Sequence, residues 1–322
     1  MKLLYVVAPA HSGSTLSDCI LGSHPSFVSA GELRFLRWQL ERSQLVQGSV
    51  ADNSLCTCLR DWSDCEFWSE VFVALKDKTG VDISVDPSEL DLNFFGSFSL
   101  ADKGGYQRDF TDRLKGLIFK HWLIHGLPVS LIRWLDRSVQ NQIENNWKLL
   151  DTMSEVAGRE VVINSSKRLV EALLLQQYRP NDVWILFLNR DIRRIAASQK
   201  KMAIRRGQQF SVRTVLKQST VYRRQVLQCM NSVPELNYIE STYEEIVSGP
   251  SDFLSKVVQQ MSVDSDYKIQ SNSSFWFDPA NQHMVDGNAM RYRGKQAVKM
   301  DDRWRQTLDE RELHEIENWT FS

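Results

Sequence analysis

A continuous apolar run, Leu3 to Val7, lies almost at the start of the chain and is followed at once by a loop rich in proline, serine and glycine. Strands that are buried on both faces consist of unbroken apolar runs, whereas strands with one wet face alternate apolar and polar residues. The run therefore predicts a strand inside a parallel sheet that helices cover on both sides. Residues 16–21 are typical of a helix, so strand, tight loop and helix follow one another directly.

The alternation of strand and helix returns in the second half of the chain. Strand patterns occur at 161–163, 183–188 and 236–239, and helix patterns at 168–178, 191–202, 212–231, 250–261 and 302–319. This order predicts a mainly parallel sheet of about five strands with right-handed crossovers. We expect an α/β fold, a P-loop-like three-layer sandwich that residues 1–322 form as one domain, with a helical insertion at about 80–157 that would shape a ligand pocket.

Composition narrows the class of protein. The chain has 39 basic and 40 acidic side chains and a formal net charge of −1, whereas nucleic-acid-binding proteins usually carry a basic surplus. No apolar run is long enough to span a bilayer, and the N-terminal run is too short for a signal peptide. We therefore expect a cytoplasmic protein without a membrane span and without a nucleic-acid partner.

The cysteines are too few and too scattered for a disulfide framework, since the chain has five of them among 322 residues. Cys56, Cys58 and Cys65 lie close together in sequence. Three thiols could hold zinc, but no fourth ligand is evident, and Cys-x-Cys is not the common zinc-finger spacing. From the sequence we predict no metal and interpret these cysteines as a structural staple of their loop or as free thiols.

The loop after the first strand has the composition of an anion-binding site. Gly13 allows the backbone to approach a ligand closely, and Ser12, Ser14 and Thr15 supply hydroxyl donors. The helix that follows offers backbone N–H groups and the positive end of its dipole. A Walker A loop needs a lysine where Ser14 stands, so a P-loop kinase or NTPase is the weaker alternative. A serine-rich N-cap turn that binds nothing is another.

A second anion site is predicted where the strand at 183–188 ends. Arg190 and Asp191 follow that strand, and Ser198 lies two turns into the next helix. Arg190 and Ser198 can contact one phosphate from two sides, because a guanidinium binds phosphate bidentately, and Asp191 is a suitable N-cap. Open α/β sheets bind ligands at the ends of their parallel strands, which favours one ligand for both sites.

These two motifs resemble those of the PAPS-dependent sulfotransferases, of the bacterial or tyrosylprotein-sulfotransferase type; PAPS is 3′-phosphoadenosine 5′-phosphosulfate. Residues 9–15 resemble the family's 5′-phosphosulfate loop, Pro-Lys/Arg-Ser-Gly-Thr-Thr, and Arg190-Asp191 with Ser198 resembles its 3′-phosphate motif. His11 replaces the usual Lys or Arg and is fully charged only when protonated, so anion binding could be weaker or sensitive to pH.

The resemblance implies a sulfotransferase with PAPS as co-substrate and no metal. It implies transfer of a sulfuryl group to a hydroxyl or amine of a small-molecule, lipid or carbohydrate acceptor. Positioning and electrostatics would supply most of the catalysis. A nucleotide-binding protein without catalytic activity is the alternative from another class.

Three further segments are similar to elements of this family and imply roles for their residues. Lys167, at the end of Asn-Ser-Ser-Lys, would contact the bridging oxygen of the leaving group, and Tyr243 would lie near the adenine. The tail segment Gly-Asn-Ala-Met-Arg-Tyr-Arg-Gly-Lys contains Arg291, Arg293 and Lys295, of which one or two would close over the 3′-phosphate.

Glu32 is the candidate for the general base. It follows a glycine, and tyrosylprotein sulfotransferases are similar in having a Gly-Glu at this place, with that glutamate as base. Cytosolic sulfotransferases use a histidine after a later strand, and the matching stretch near Lys167 contains none. His11 is the competing candidate, and an acid that only satisfies backbone donors at a helix start is the alternative without a catalytic role.

Overall fold

A parallel five-stranded sheet lies at the centre of the structure, a computed structural model that describes residues 1–94, 97–98, 106–107, 110–233, 235–263 and 266–319. Its strand order is β2-β5-β1-β6-β7, and every neighbouring pair is parallel. Two small antiparallel pairs, β3-β4 and β8-β9, lie outside it. The strands are β1 (Lys2–Val7), β2 (Phe27–Gly31), β3 (Ser97–Phe98), β4 (Tyr106–Gln107), β5 (Val161–Asn164), β6 (Val183–Asn189), β7 (Tyr238–Thr242), β8 (Trp276–Phe277) and β9 (Gln296–Ala297).

Helices connect these strands and cover the sheet. They are α1 (Ser14–Leu21), α2 (Leu36–Ser43), α3 (Glu66–Thr79), α4 (Phe110–Ile124), α5 (Val129–Leu135), α6 (Arg137–Ala157), α7 (Leu169–Tyr178), α8 (Ile192–Arg205), α9 (Val212–Ser232), α10 (Tyr243–Ser248), α11 (Pro250–Gln260), α12 (Trp304–Thr307) and α13 (Glu310–Glu317). In the part of the chain that the structure describes, no helix combines the length and apolarity needed to cross a membrane.

The burial of β1 explains its unbroken apolar sequence. Leu3 and Tyr5 point into a core formed with α3, α6 and α7, and Leu4 and Val6 point into a second core formed with α1, α10 and α11. All four side chains are fully buried. Both faces of the sheet are therefore covered by helices, and the predicted three-layer α/β fold is confirmed.

The region expected as a helical insertion contributes in part to the helical layer on the sheet. Ile143, Trp147 and Leu150 of α6 are buried in the same core as the β1 side chains, and α6 contacts α3, α7 and β5. Residues 95–96, 99–105 and 108–109 of this region lie outside the described residues. The single domain and the role of residues 80–157 in shaping an acceptor pocket stay predictions.

The segment 275–300, which we call the closing segment, covers the edge of the sheet at β2. Its Val285 N–H donates to Ala30 O at 2.9 Å. Gln282 accepts a 2.9 Å bond from Ser29 N–H and donates to Gly22 O. An exposed strand edge is a site of unwanted pairing, and here the closing segment satisfies that edge.

We predict that Gln282→Ala lowers the free energy of unfolding by about 1–3 kcal/mol, because it leaves the buried N–H of Ser29 and the carbonyl of Gly22 without partners. Urea denaturation measures the loss, with the exposed neighbour substitution Asn281→Ala as control. Equal midpoints for the two variants would contradict this account of the edge.

Candidate functional site

Because the five strands are parallel, the loops that follow them all lie at the C-terminal ends of the strands. The loop after β5 is joined to the end of β2 by a 2.8 Å bond from Ser165 N–H to Gly31 O. The residue after β6 is joined to the loop after β1 by a 2.7 Å bond from Arg190 Nη1 to His11 O. The predicted site residues of four separate segments are thus brought together.

The loop after β1 has the backbone of an anion cradle. His11 and Gly13 have φ angles of 67° and 90°, and α1 begins at Ser14. The first N–H groups of a helix have no partner within it. A Cβ at Gly13 would lie 2.6 Å from Cδ2 of Tyr243, so only glycine fits this position. The loop therefore presents the start of a helix at close range.

The hydroxyls predicted as donors have different environments. Ser12 is fully buried, and its Oγ donates to Pro9 O at 2.7 Å within the loop. Thr15 Oγ1 accepts a 2.9 Å bond from Asn288 N–H of the closing segment. Ser14 is buried at the first position of α1. Backbone N–H groups rather than the Ser12 hydroxyl are the donors that this loop offers to an anion.

His11 lies among cations. Burial, together with the charges of Lys167 and Arg190, lowers the pKa of His11 to about 4. Its imidazole is therefore neutral near pH 7, and the ordinary titration near pH 6.5 is displaced. His11 can contact an anion as a neutral donor, while the positive charge of the site comes from Lys167 and Arg190.

Glu32 and Lys167 form a buried ion pair directly beyond β2 and β5. The Glu32 side chain, 9% exposed, accepts from Lys167 Nζ through Oε1 and from Arg34 Nη2 at 2.9 Å through Oε2. The backbone of Lys167 has a φ of 65°, and its N–H donates to Val6 O at 3.1 Å. The candidate base and the candidate leaving-group lysine are in contact.

Arg190 is held by its neighbours, with one buried nitrogen left without a partner in the described part of the chain. Its side chain is 7% exposed, its guanidinium lies 4.0 Å above the Tyr243 ring, and Nη2 lies 3.6 Å from Asp301 Oδ2. No acceptor among the described residues reaches its buried Nε. A buried, unpaired guanidinium N–H is costly, and a bound anion would satisfy it.

A small cavity beside Arg190 has the charge of a phosphate site. It is lined by Arg190, Arg194, Ala197, Ser198, Lys201, Asp301, Arg303 and Trp304. Four of these side chains are cationic and one is a carboxylate. Arg190 and Ser198, which the sequence assigned to one phosphate, face the same cavity.

Tyr243 is 5% exposed, and the Arg190 guanidinium lies over its ring. Its hydroxyl donates to Lys299 O at 3.4 Å and accepts from Asp301 N–H at 3.2 Å. These contacts make Tyr243 a support for Gly13 and Arg190. Its contact with adenine stays a prediction.

The predicted role of Arg291 at the 3′-phosphate is corrected by its position. The side chain is fully buried and anchors the closing segment instead of facing a ligand. Its five N–H groups are engaged by Asn53, Leu55, Thr57, Met284 and Tyr292. No N–H remains for a 3′-phosphate. Arg293 and Lys295 are exposed, with Lys295 Nζ 3.4 Å from the centre of the Trp276 ring, and their role at the phosphate stays a prediction.

Sequence analysis missed two carboxyl groups near the pair of Glu32 and Lys167. Burial raises the pKa of Asp18 to about 7, and Asp18 Oδ2 accepts a 2.6 Å bond from Ser165 Oγ. Burial and the charge of Glu32 raise the pKa of Asp286 to about 6. An acidic residue in the mainly apolar stretch 16–21 was a signal for Asp18. No local pattern pointed to Asp286, which arrives with the closing segment.

We predict that Asp18→Asn stabilises the protein increasingly as pH rises. The pKa of Asp18 is raised from 3.8 to about 7 on folding, so the folded state keeps a proton that the unfolded chain releases, and stability falls as pH rises between these values. Asparagine removes this cost. Its advantage in urea unfolding should grow by about 1–3 kcal/mol from about pH 5 to about pH 8. The exposed substitution Asp77→Asn is the control, and parallel pH curves for wild type and Asp18→Asn would refute the raised pKa.

Comparison with known proteins gives few similarities. No protein-family model and no curated protein sequence matches the chain. Two similar solved structures are sulfotransferase STF9 from Mycobacterium avium, with TM-score 0.42, 14% identity, 81% of this chain and 64% of that chain covered, and sulfotransferase STF1 from Mycobacterium tuberculosis H37Rv, with TM-score 0.41, 11% identity, 82% of this chain and 68% of that chain covered. The chain thus spans 64% of the length of STF9. At these identities any assignment of function rests on the site itself.

Proposed function

We propose that this protein is a sulfotransferase that moves a sulfuryl group from PAPS to a hydroxyl or amine of an acceptor. The observation that carries the proposal is that three features lie together at the C-terminal ends of the strands. They are the glycine-containing loop at the start of α1, the buried pair of Glu32 and Lys167, and the cationic cavity beside Arg190. A donor with an anion at each end of its nucleotide matches such an arrangement.

The two anion sites would bind the two ends of the donor. The N–H groups at the start of α1 and the His11 imidazole would hold the 5′-phosphosulfate, since helix starts favour anions. Arg190 and Ser198 would hold the 3′-phosphate, which would satisfy the unpaired Nε of Arg190. A nucleotide without a 3′-phosphate would place no anion among the four cationic side chains of this cavity, which supports PAPS over ATP.

The chemistry needs a base for the acceptor and a cation for the leaving group. The acceptor oxygen or nitrogen attacks sulfur as the bond between sulfur and the 5′-phosphate oxygen breaks, and Glu32 takes the acceptor proton. Lys167, which contacts Glu32 before substrates bind, would stabilise the charge that develops on the departing phosphate. His11 is neutral near pH 7 and is the competing acceptor for that proton, since its pKa of about 4 lies close to that of an ordinary carboxyl group.

We predict micromolar binding of 3′,5′-diphosphoadenosine in calorimetric titration, with much weaker binding of ATP. Arg190→Ala should lower the affinity for the 3′-phosphorylated nucleotide by about 1.5–3 kcal/mol, as expected for a lost charge-assisted bond. Arg205→Ala removes the same charge from an exposed position at the end of α8, the helix that follows Arg190, and should change little. Preference for ATP, or equal affinity in both variants, would count against the donor site.

We also predict that Glu32→Gln lowers turnover by about 100- to 10,000-fold while the affinity for 3′,5′-diphosphoadenosine is retained. Turnover is measured as transfer of radiolabelled sulfate from PAPS to a panel of phenols, lipid alcohols and oligosaccharides. Glu89→Gln, an exposed substitution, is the control. Full turnover in Glu32→Gln together with its loss in His11→Gln would transfer the role of base to His11. Absence of transfer to every acceptor despite tight donor binding would favour a nucleotide-binding protein.

A further inference from the structure

Four potential metal ligands converge where the loop between α2 and α3 meets the closing segment. Cys56, Cys58 and Cys65 come from that loop, and His283 comes from the closing segment. One ligand atom from each lies within 4.8 Å of all the others. Cys56 and Cys65 are fully buried, and Cys58 and His283 are half-buried. We call these four residues the Cys₃His cluster.

Four of the six distances between ligand atoms are close to those of a tetrahedral site, and all six lie within 4.8 Å. Cys65 Sγ lies 3.6 Å from the sulfur atoms of both Cys56 and Cys58. His283 Nδ1 lies 3.4 Å from Cys65 Sγ and 3.6 Å from Cys56 Sγ. Zinc bonds of ~2.3 Å to sulfur and ~2.0–2.1 Å to nitrogen give tetrahedral edges of about 3.8 Å between sulfurs and about 3.6 Å between sulfur and nitrogen. An ion at the centre would therefore require only small movements.

We propose that the Cys₃His cluster is a structural zinc site. Three thiolates and an imidazole are soft and borderline ligands, which select Zn²⁺ over the oxygen-preferring Mg²⁺ and Ca²⁺. Four protein ligands leave no open position, which is the mark of a structural rather than a catalytic site. The proposal rests on the geometry of this cluster and is independent of the proposed sulfotransferase activity.

The surroundings of the cluster orient its ligands, as outer-shell groups do in metal sites. The His283 ring stacks on Phe67 with centroids 4.6 Å apart and 16° between planes, and the indole N–H of Trp68 donates to His283 O at 3.0 Å. These two contacts fix the orientation of the imidazole and of the backbone that carries it.

The turn between the cysteines has the shape that brings thiols together. Leu59 has a φ of 65°, and its N–H donates to Cys56 O at 2.9 Å. The Cys56 N–H donates to Arg60 O at 3.0 Å. A non-glycine residue in the left-handed region is uncommon and costs energy. This tight turn aims Cys56 and Cys58 at one point, and a bound ion would offset its cost.

A metal here would fasten the closing segment to the body of the protein. On one side of His283, Gln282 binds the β2 edge, and on the other, Met284 N–H donates to Thr57 Oγ1 at 3.1 Å. Five residues after His283, Asn288 N–H donates to Thr15 Oγ1 in the anion loop. The zinc would therefore hold in place the segment that supports the loop at the start of α1.

The sequence-based prediction of no metal is replaced by this proposal. That prediction rested on the missing fourth ligand and on the unusual Cys-x-Cys spacing. The fourth ligand is His283, which lies 218 positions after Cys65 and is recognised only when the chain is folded. The interpretation that these cysteines hold their loop together agrees with the proposal, since the bound ion would link them.

Metal content of the full, tag-free chain, purified under reducing conditions without chelator, tests the proposal directly. Mass spectrometry of the digested protein should find about one zinc per chain. Cys65→Ser and His283→Ala should each lower the zinc content about tenfold or more. Cys229→Ser and His314→Ala, which change the same residue types outside the cluster, should keep it.

Cobalt substitution of the wild-type chain decides the case even where a ligand variant fails to fold. Replacement of bound metal by Co²⁺ should give the visible bands of tetrahedral cobalt and a thiolate-to-metal charge-transfer band with the intensity of three thiolates. A folded, reduced wild-type chain that contains no zinc and gives no such spectrum with Co²⁺ would overturn the proposal. So would a disulfide between two of the three cysteines in the folded protein, or zinc content unchanged in Cys65→Ser.

Discussion

The burial of β1 between β5 and β6 is the constraint on which the rest of the structure depends. Its side chains enter both cores, so the strand cannot slip by one residue without exchanging the two faces. With β1 held, the residues just beyond the strands take definite positions: the anion loop after β1, Lys167 after β5 and Arg190 after β6. The strand register therefore sets the positions of the site residues.

The site contains several polar and ionisable groups whose burial costs free energy. Arg190 has a buried nitrogen without a partner, His11 is kept neutral by burial and neighbouring cations, and the pKa values of Asp18 and Asp286 are raised by burial. Each group would be less costly in water. A polyanionic ligand would relieve the cationic side of this arrangement, which is how a binding site stores free energy for its ligand.

Sequence patterns predicted β1, β5, β6 and β7 and the motifs that follow β1, β5 and β6, because each depends on neighbours along the chain. Asp191 was predicted as an N-cap, and its side chain accepts from Arg193 N–H at 2.9 Å. The strand β2 was missed for two reasons. Its sequence, Phe-Val-Ser-Ala-Gly, is short, and the backbone groups on its outer side bond to Gln282 and Val285, which are distant in sequence. Arg291 was assigned to a ligand because its motif is cationic, whereas its burial depends on carbonyls more than 200 positions earlier.

The missed strand β2, the missed Asp286 and the reassigned Arg291 all involve the closing segment. Residues 275–300 have little regular structure of their own, so their positions come from long-range polar contacts: Gln282 on the β2 edge, Asn288 on Thr15 and Arg291 on residues 53–57. Ordering an irregular segment costs backbone entropy, and this segment, which the structure describes throughout, contains no α-helix whose packing could offset that cost. Buried hydrogen bonds can offset it, and a metal ligated by His283 would offset more, since an ion that binds only the folded chain stabilises that state. The closing segment contacts the anion loop through Asn288 and Thr15, so the stability of that loop depends on how firmly the closing segment is held.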